Sequence, residues 1–469
     1  RRGRRLQPPG AVRRRGDPVL KRVLGLVAIA LAALAAWPVW ASRAAASDPL
    51  AAVTPAPLRD DATIRAKTIA FEESRLRGDA DDQLTPRMLS AEYLQRYRER
   101  GDVGDVRRAE AAARRSLRVQ PRGNGAALRA LASAQLTLHR FREALATTHA
   151  ARAEAPDDPS AAMSEASLEM ELGDYAAARA LIARFGGGSN EATEVVASRY
   201  AELTGDLPRA RALLERASRR ADAIYGIPNE RRAWFHARLG ELAFAGGDAD
   251  AALREEKTAL ERFPDDVQAL TDTARFDAAL GNWSGARDAA ARAVALTPSP
   301  ENLGLLADAQ DRIGDGTGIG GQAARQRAAD ATRDEIVAVE RLGNAQHLVD
   351  RLLALYYADH GTRLGDAYAI ARGELAVRDD VFAEDTLAWT AARAGRWDTA
   401  RVASRRATAW NTADARIWYH AGVIAEHDGD TRAALADYRH ALALNPHFQA
   451  VFADDARARA QRLEAQTAR

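Results

Sequence analysis

Cysteine is absent from the 469 residues, lysine occurs only at positions 21, 67 and 257, and aromatic residues make up just 6%. The first absence excludes disulfides, thiolate metal sites, a cysteine nucleophile and lipid attachment through cysteine, and it leaves the redox compartment unread. Few aromatics within a 47% hydrophobic content dominated by Ala argue against sheets of Val, Ile and Tyr and for helices packed through small side chains. An all-α fold is expected. The preference for Arg over Lys reads as codon bias in a GC-rich, bacterial genome. No G-x-S-x-G elbow, Walker loop, H-E-x-x-H or kinase motif set is present. The carboxylates are spread among Arg at i±3 and i±4, as on solvated helix faces. The chain is therefore read as a non-enzyme without a cofactor.

The formal net charge of +2 conceals a basic head: nine Arg and Lys precede Val23 against the single Asp17. Taking +8 from +2 leaves the body near −6, so the sequence pI of ≈ 8.9 reflects the tail and no nucleic-acid partner is expected. After this head (1–22) comes "VLGLVAIALAALAAWPVW" (23–40), uncharged and nearly long enough to span a bilayer as a helix. The positive-inside rule puts the head in the cytoplasm and the bulk outside it. A retained anchor is favoured by the long basic head, and a cleaved signal peptide by the small residues at Ala41-Ser42 and Ala44-Ala45-Ala46. The two locations that follow are a single-pass membrane protein with an extracytoplasmic body and a secreted one. Residues 41–60, rich in Ala and Pro, read as a linker, and a first helix runs from Ile64 to Gly78.

Self-comparison supplies the architecture. Pro264 and Pro298 lie 34 residues apart, as do Gly247 and Gly281, Ala252 and Ala286, Ala259 and Ala293, Gly395 and Gly429, and Ala400 and Ala434. A turn at Gly, followed by Asp at Gly173-Asp174, Gly205-Asp206, Gly247-Asp248 and Gly429-Asp430, separates two helices, small residues sit where these approach, and Pro stops the second where it occurs. The clearest copy is "WYHAGVIAEHDGDTRAALADYRHALALNPHF", with Trp418, Ala421, Gly422, Ala425, Gly429-Asp430, Ala434, Tyr438, Ala441 and Pro446 in frame. This pattern resembles the tetratricopeptide repeat. The resemblance implies a right-handed α-solenoid of about ten helix-turn-helix units. Its expected parts are a block over 61–322, an irregular bridge over 323–346, a second block over 347–448 and a capping helix over 449–469.

"GDGTGIGGQ" (314–322) contains G-x-G-x-x-G at Gly316, Gly318 and Gly321. That spacing signals a dinucleotide site only between a strand and a helix. Here a first-helix pattern precedes it, so it reads as an enlarged inter-helix turn. A calcium loop is excluded too, because Ile313 and Gln322 stand where oxygen ligands are needed. His420, His427, His440 and His447 cluster near the C-terminus. The first two lie two helical turns apart, about 10 Å, too far to chelate one ion directly. They read as ordinary surface or capping residues, and metal or small-ligand handling by them is the alternative function.

By the same resemblance the first helices line a concave groove that binds a protein or peptide. Its expected contacts are Arg129, Arg199, Trp234, Glu241, Arg275 and Arg351 in the earlier units, and Asp385, Trp389, Arg393, Arg416, Tyr419, Glu426 and His427 in the last two. Arg interleaved with Trp and Tyr suits a peptide through bidentate pairing and ring stacking. Trp418, at the family's packing position, is expected to fill a gap between units. The Lys and Asn of the chaperone-type carboxylate clamp are missing from these positions.

Overall fold

The computed structural model describes residues 60–79, 81–186, 190–313, 318–345 and 351–467. Among them the chain is helical throughout, with 22 helices and no strand. A lone helix α1 (Asp61–Gly78) precedes ten helix-turn-helix pairs. Units 1 to 5 are α2/α3 (Leu84–Arg100, Val103–Val119), α4/α5 (Gly125–Thr137, Phe141–Glu154), α6/α7 (Pro159–Glu171, Tyr175–Phe185), α8/α9 (Glu191–Leu203, Leu207–Asp222) and α10/α11 (Asn229–Ala245, Ala249–Arg262). Units 6 to 10 are α12/α13 (Val267–Ala279, Trp283–Leu296), α14/α15 (Pro300–Arg312, Gly318–Ala345), α16/α17 (Arg351–Asp359, Leu364–Glu374), α18/α19 (Val381–Arg393, Trp397–Ala407) and α20/α21 (Ala415–His427, Thr431–Leu444). A final helix, α22 (Phe452–Thr467), lays Phe452, Ala456, Ala460 and Leu463 against unit 10.

The recurring residues have local causes. Gly173, Gly205, Gly247 and Gly429 turn the chain with φ between 79° and 83°, and the next residue, Asp174, Asp206, Asp248 or Asp430, accepts the N–H three residues on at 2.8–3.1 Å. Glycine reaches that φ without a Cβ clash, and the carboxylate satisfies an orphan helix N–H. In the second helices Ala144, Ala178, Ala210, Ala252, Ala286, Ala400 and Ala434 are buried to 1% exposure or less. Such a column leaves only a methyl between helices, so they pack closely. Opposite it, Gly422 lies under the fully buried ring of Tyr438, and a Cβ there would stand 2.7 Å from ring carbons. Gly422→Ala should therefore cost about 1–3 kcal/mol by overpacking. Gly373→Ala, at a helical position with open space around it, should gain about 0.5–1 kcal/mol. Paired thermal melts of the two variants check the difference in sign.

One expected element differs. The stretch 323–346, expected to be an irregular bridge, lies almost wholly within the 28-residue α15. Ala329, Thr332 and Ile336 form a buried i, i+3, i+7 face on it, and Thr332 Oγ1 donates to Gln310 Oε1 on α14 at 3.0 Å. The extra residues lengthen a helix, since nothing from 323 to 345 is Pro and one side is apolar. Gly316 lies outside the described residues, Gly318 and Gly321 open α15, and the element before them is the helix α14, not a strand. The basic head, the 23–40 run and nearly all of the 41–60 linker lie outside the described residues, among which no helix is long and apolar enough to cross a membrane.

The superhelix closes on itself. The turn of unit 3 meets the loop before unit 9, where Arg378 pairs with Glu171, Asp379 N–H donates to Glu171 C=O at 3.3 Å, and Val381 N–H donates to Tyr175 Oη at 3.0 Å. The turn of unit 4 meets the loop before unit 10, where Thr412 Oγ1 donates to Leu203 C=O at 2.7 Å. The turn of unit 5 meets the loop after unit 10, where Asn445 Nδ2 donates to Phe244 C=O at 2.7 Å. Each contact joins a unit to the loop six units along. Each also supplies a donor to a carbonyl at or near a first helix's C-terminus, where intrahelical donors run out.

Candidate functional site

Closure turns the concave face into a partly enclosed cavity of ≈ 640 Å³. Its wall is made mainly by first helices: α8 brings Arg199 and Glu202, α10 brings Arg238 and Glu241, α12 brings Arg275, α14 brings Asp308, α16 brings Arg351 and Asp359, α18 brings Phe382 and α20 brings Arg416. The repeat puts these side chains on the same inward face of successive helices, which is why residues far apart in the chain share one wall.

A charge rail crosses three units. Arg199 pairs with Glu202 at 2.9 Å, Arg238 with Glu202 at 2.7 Å and also with Glu241. Gln268 Nε2 donates to Glu241 at 3.0 Å and Asp272 at 2.9 Å, and Arg275 closes the rail on Asp272 at 2.5 Å. Burial pushes the Glu202 carboxyl up, yet Arg199 and Arg238 outweigh it and hold it below its ordinary range. Burial likewise pulls the Arg199 guanidinium down, and the Glu202 and Glu171 carboxylates raise it more. Glu202 and Arg199 are thus both held in their charged forms, each by an opposite charge. Across the cavity Asp414 pairs with Arg416 at 3.2 Å and lifts that guanidinium above its usual range. Asp359 accepts from Trp389 Nε1 at 2.7 Å and Gln449 Nε2 at 3.2 Å, and burial raises its carboxyl. Asp308 is bound to His360 at 2.8 Å, Asp311 pairs with Arg333, and Glu301 also has a partner.

Of the contacts expected from sequence, Arg199, Glu241, Arg275, Arg351 and Arg416 line this cavity. Arg129 instead pairs with Asp158 at 2.9 Å, and Trp234 packs in the core of units 4 and 5. Asp385, Trp389 and Tyr419 are buried behind the wall: Asp385 accepts from His420 Nδ1 at 3.0 Å, Trp389 stacks on His420 with centroids 4.2 Å apart, and Tyr419 donates to Asp455 at 2.7 Å. Arg393 lies over Trp389 at 5.4 Å. Glu426 accepts from Tyr438 within unit 10 and ties the unit to α22 through Arg459 and Arg462, and His427 is exposed, stacked on Trp397. Glu202, Arg238, Asp359 and Phe382 were not anticipated. Opposite charges at i, i+3 on consecutive first helices would have pointed to the rail.

The four C-terminal histidines do not converge. His420 faces Asp385 and Trp389, His427 faces Trp397, His440 sits edge-on to Trp418, and His447 is exposed. Trp418 packs as expected, donating Nε1 to Thr412 C=O at 2.9 Å. Among the described residues one group has metal-type spacing, His149, Glu165 and Glu169, but Arg152 already occupies Glu165 at 2.6 Å. His420 Nε2 is buried without a hydrogen-bond partner, so its pair with Asp385 does not extend to a hydroxyl nucleophile.

The fold is thus a helical-repeat solenoid, closed over a cavity of mixed charged and apolar lining. Residues 415–448, unit 10 with its flanking loop, match the tetratricopeptide repeat family model. Comparison with curated protein sequences finds no match. Among solved structures a human IFIT1 dimer with PPP-AAAA is similar, with a TM-score of 0.39 and 16% identity over 66% of this chain and 69% of that one. So loose a likeness says nothing about ligands.

Proposed function

We propose that the protein is a non-catalytic scaffold that holds a segment of a protein partner in the interior of its superhelix, and that it serves assembly or maturation in the bacterial cell envelope. The observation that carries the scaffold reading is the cavity itself, walled by the inward faces of repeated first helices and lined with charged and aromatic side chains. Repeat solenoids present such faces as binding surfaces. The envelope reading rests on the basic head followed by the 23–40 apolar run.

A photo-crosslinking amino acid at Phe382, inside the cavity, and another at the fully exposed Tyr225, outside it, separates partner capture from surface contact. A defined crosslinked partner is expected from position 382 alone; adducts only from 225 would refute the scaffold reading. Alkaline carbonate extraction should leave the full chain in the membrane pellet, and its release would remove the anchor.

A further inference from the structure

We propose that the segment held in the cavity is acidic, and that an Asp or Glu carboxylate of the partner docks on Arg351 beside Phe382. The inference rests on the scaffold reading and names its ligand. Seven Arg and seven Asp or Glu line the cavity, and the pairing between them is uneven. Every lining carboxylate already has a partner, whereas Arg351 and Arg312 have no carboxylate within ion-pair distance among the described residues. Two guanidiniums are thus left without an ion-pair partner, while Asp359, whose partners Trp389 and Gln449 are neutral, is already held by their N–H groups.

Both of these guanidiniums lie on rings. Arg351 sits 5.5 Å from the Phe382 centroid, with Arg199 5.2 Å from the same ring, and Arg312 sits 5.4 Å from Trp283. A stacked guanidinium uses its face on the ring and keeps its in-plane N–H groups for a carboxylate fork. The Arg351 Nη1 atom is buried with no hydrogen-bond partner, so no acceptor in the wall holds that nitrogen in place and the guanidinium is free to turn toward an incoming carboxylate. The volume accommodates a few residues of extended chain. One carboxylate beside Phe382 meets the unpaired Arg351, whereas the unbroken run of phosphates of a nucleic acid would also have to pass the wall's carboxylates.

The test is selection of a random 12-residue peptide display library on the full-length chain, on Arg351→Gln and on Arg351→Glu, followed by fluorescence anisotropy with the selected peptides. Peptides rich in Asp and Glu are expected on the natural chain, binding at least about tenfold more weakly to Arg351→Gln. Arg351→Glu, with an unchanged melting midpoint, should select Lys- and Arg-rich peptides instead. Peptides without acidic excess, or binding indifferent to both substitutions, would overturn this inference and leave the scaffold reading standing. Recovery of no peptide above background would remove both. Tighter binding of a random single-stranded RNA oligomer than of any peptide, lost in Arg351→Gln, would assign the cavity to nucleic acid and overturn the proposal.

Discussion

Replacing Gly173 or Gly205 by Ala should open the superhelix, while the same change at Gly281 or Gly429 should not. All four glycines adopt φ between 79° and 83°, so each Ala carries the left-handed penalty of about 1–2 kcal/mol. At Gly281 and Gly429 nothing lies within 4 Å of the added Cβ. At Gly173 that Cβ would overlap the carbonyl oxygen of Asp379, and at Gly205 that of Asn411, both on the facing turn of the superhelix. Neither oxygen is the end of a flexible side chain, so the seam must part. The further cost is about 1–3 kcal/mol, and the Tyr175–Val381 and Thr412–Leu203 hydrogen bonds weaken with it. Small-angle scattering should report a larger radius of gyration for the two seam variants alone. Equal radii and equal melting shifts across all four would mean that the seam does not hold the superhelix closed.

Glu256→Gln should stabilise the protein, increasingly so as pH rises. Glu256 is 0% exposed and neither carboxyl oxygen has a hydrogen-bond partner. Burial, reinforced by Asp272 and only partly offset by Arg275, pushes its pKa up to about 11. The native state therefore keeps the proton that the unfolded chain releases above about pH 4.5, so this group's contribution is fully present below that pH and is lost as pH climbs toward 11. Over that range the loss is about 1.4 kcal/mol per pH unit. Gln has the same shape and no titration, so the variant should gain on the order of 5 kcal/mol at pH 8 and little at pH 4.5. Urea unfolding at the two pH values checks this, and parallel pH profiles would show that Glu256 is ionised in the folded protein. The same repeat position in unit 10 carries Tyr438, which is equally buried but donates its hydroxyl to Glu426 at 2.8 Å. Glu256 occupies an aromatic's place in a site that offers it no donor.

The amino-acid sequence by itself determined the secondary structure and the unit. Gly-Asp turns, Ala columns and the 34-residue step are local features, and each has a local cause: left-handed φ, an N-cap and a helix interface that admits only a methyl. The same local patterns misled over 323–346, where a missing repeat landmark read as irregular backbone although the residues are good helix formers with one apolar face. Which inward residues would share a wall was only half legible. Arg199 and Arg275 share one frame position and line the cavity, but Trp389 occupies the same position in unit 9 and turns into the core, as Tyr419 does in unit 10, where aromatic rings find partners in His420 and Phe452. Closure itself was invisible in the sequence. It joins residues about 200 positions apart through single carbonyls and side chains, such as Asn445 on Phe244 and Thr412 on Leu203, and no periodicity records such contacts. The rise and rotation accumulated over six stacked units decide whether one turn of a solenoid touches the next, and therefore whether its inner face is an open groove or a cavity.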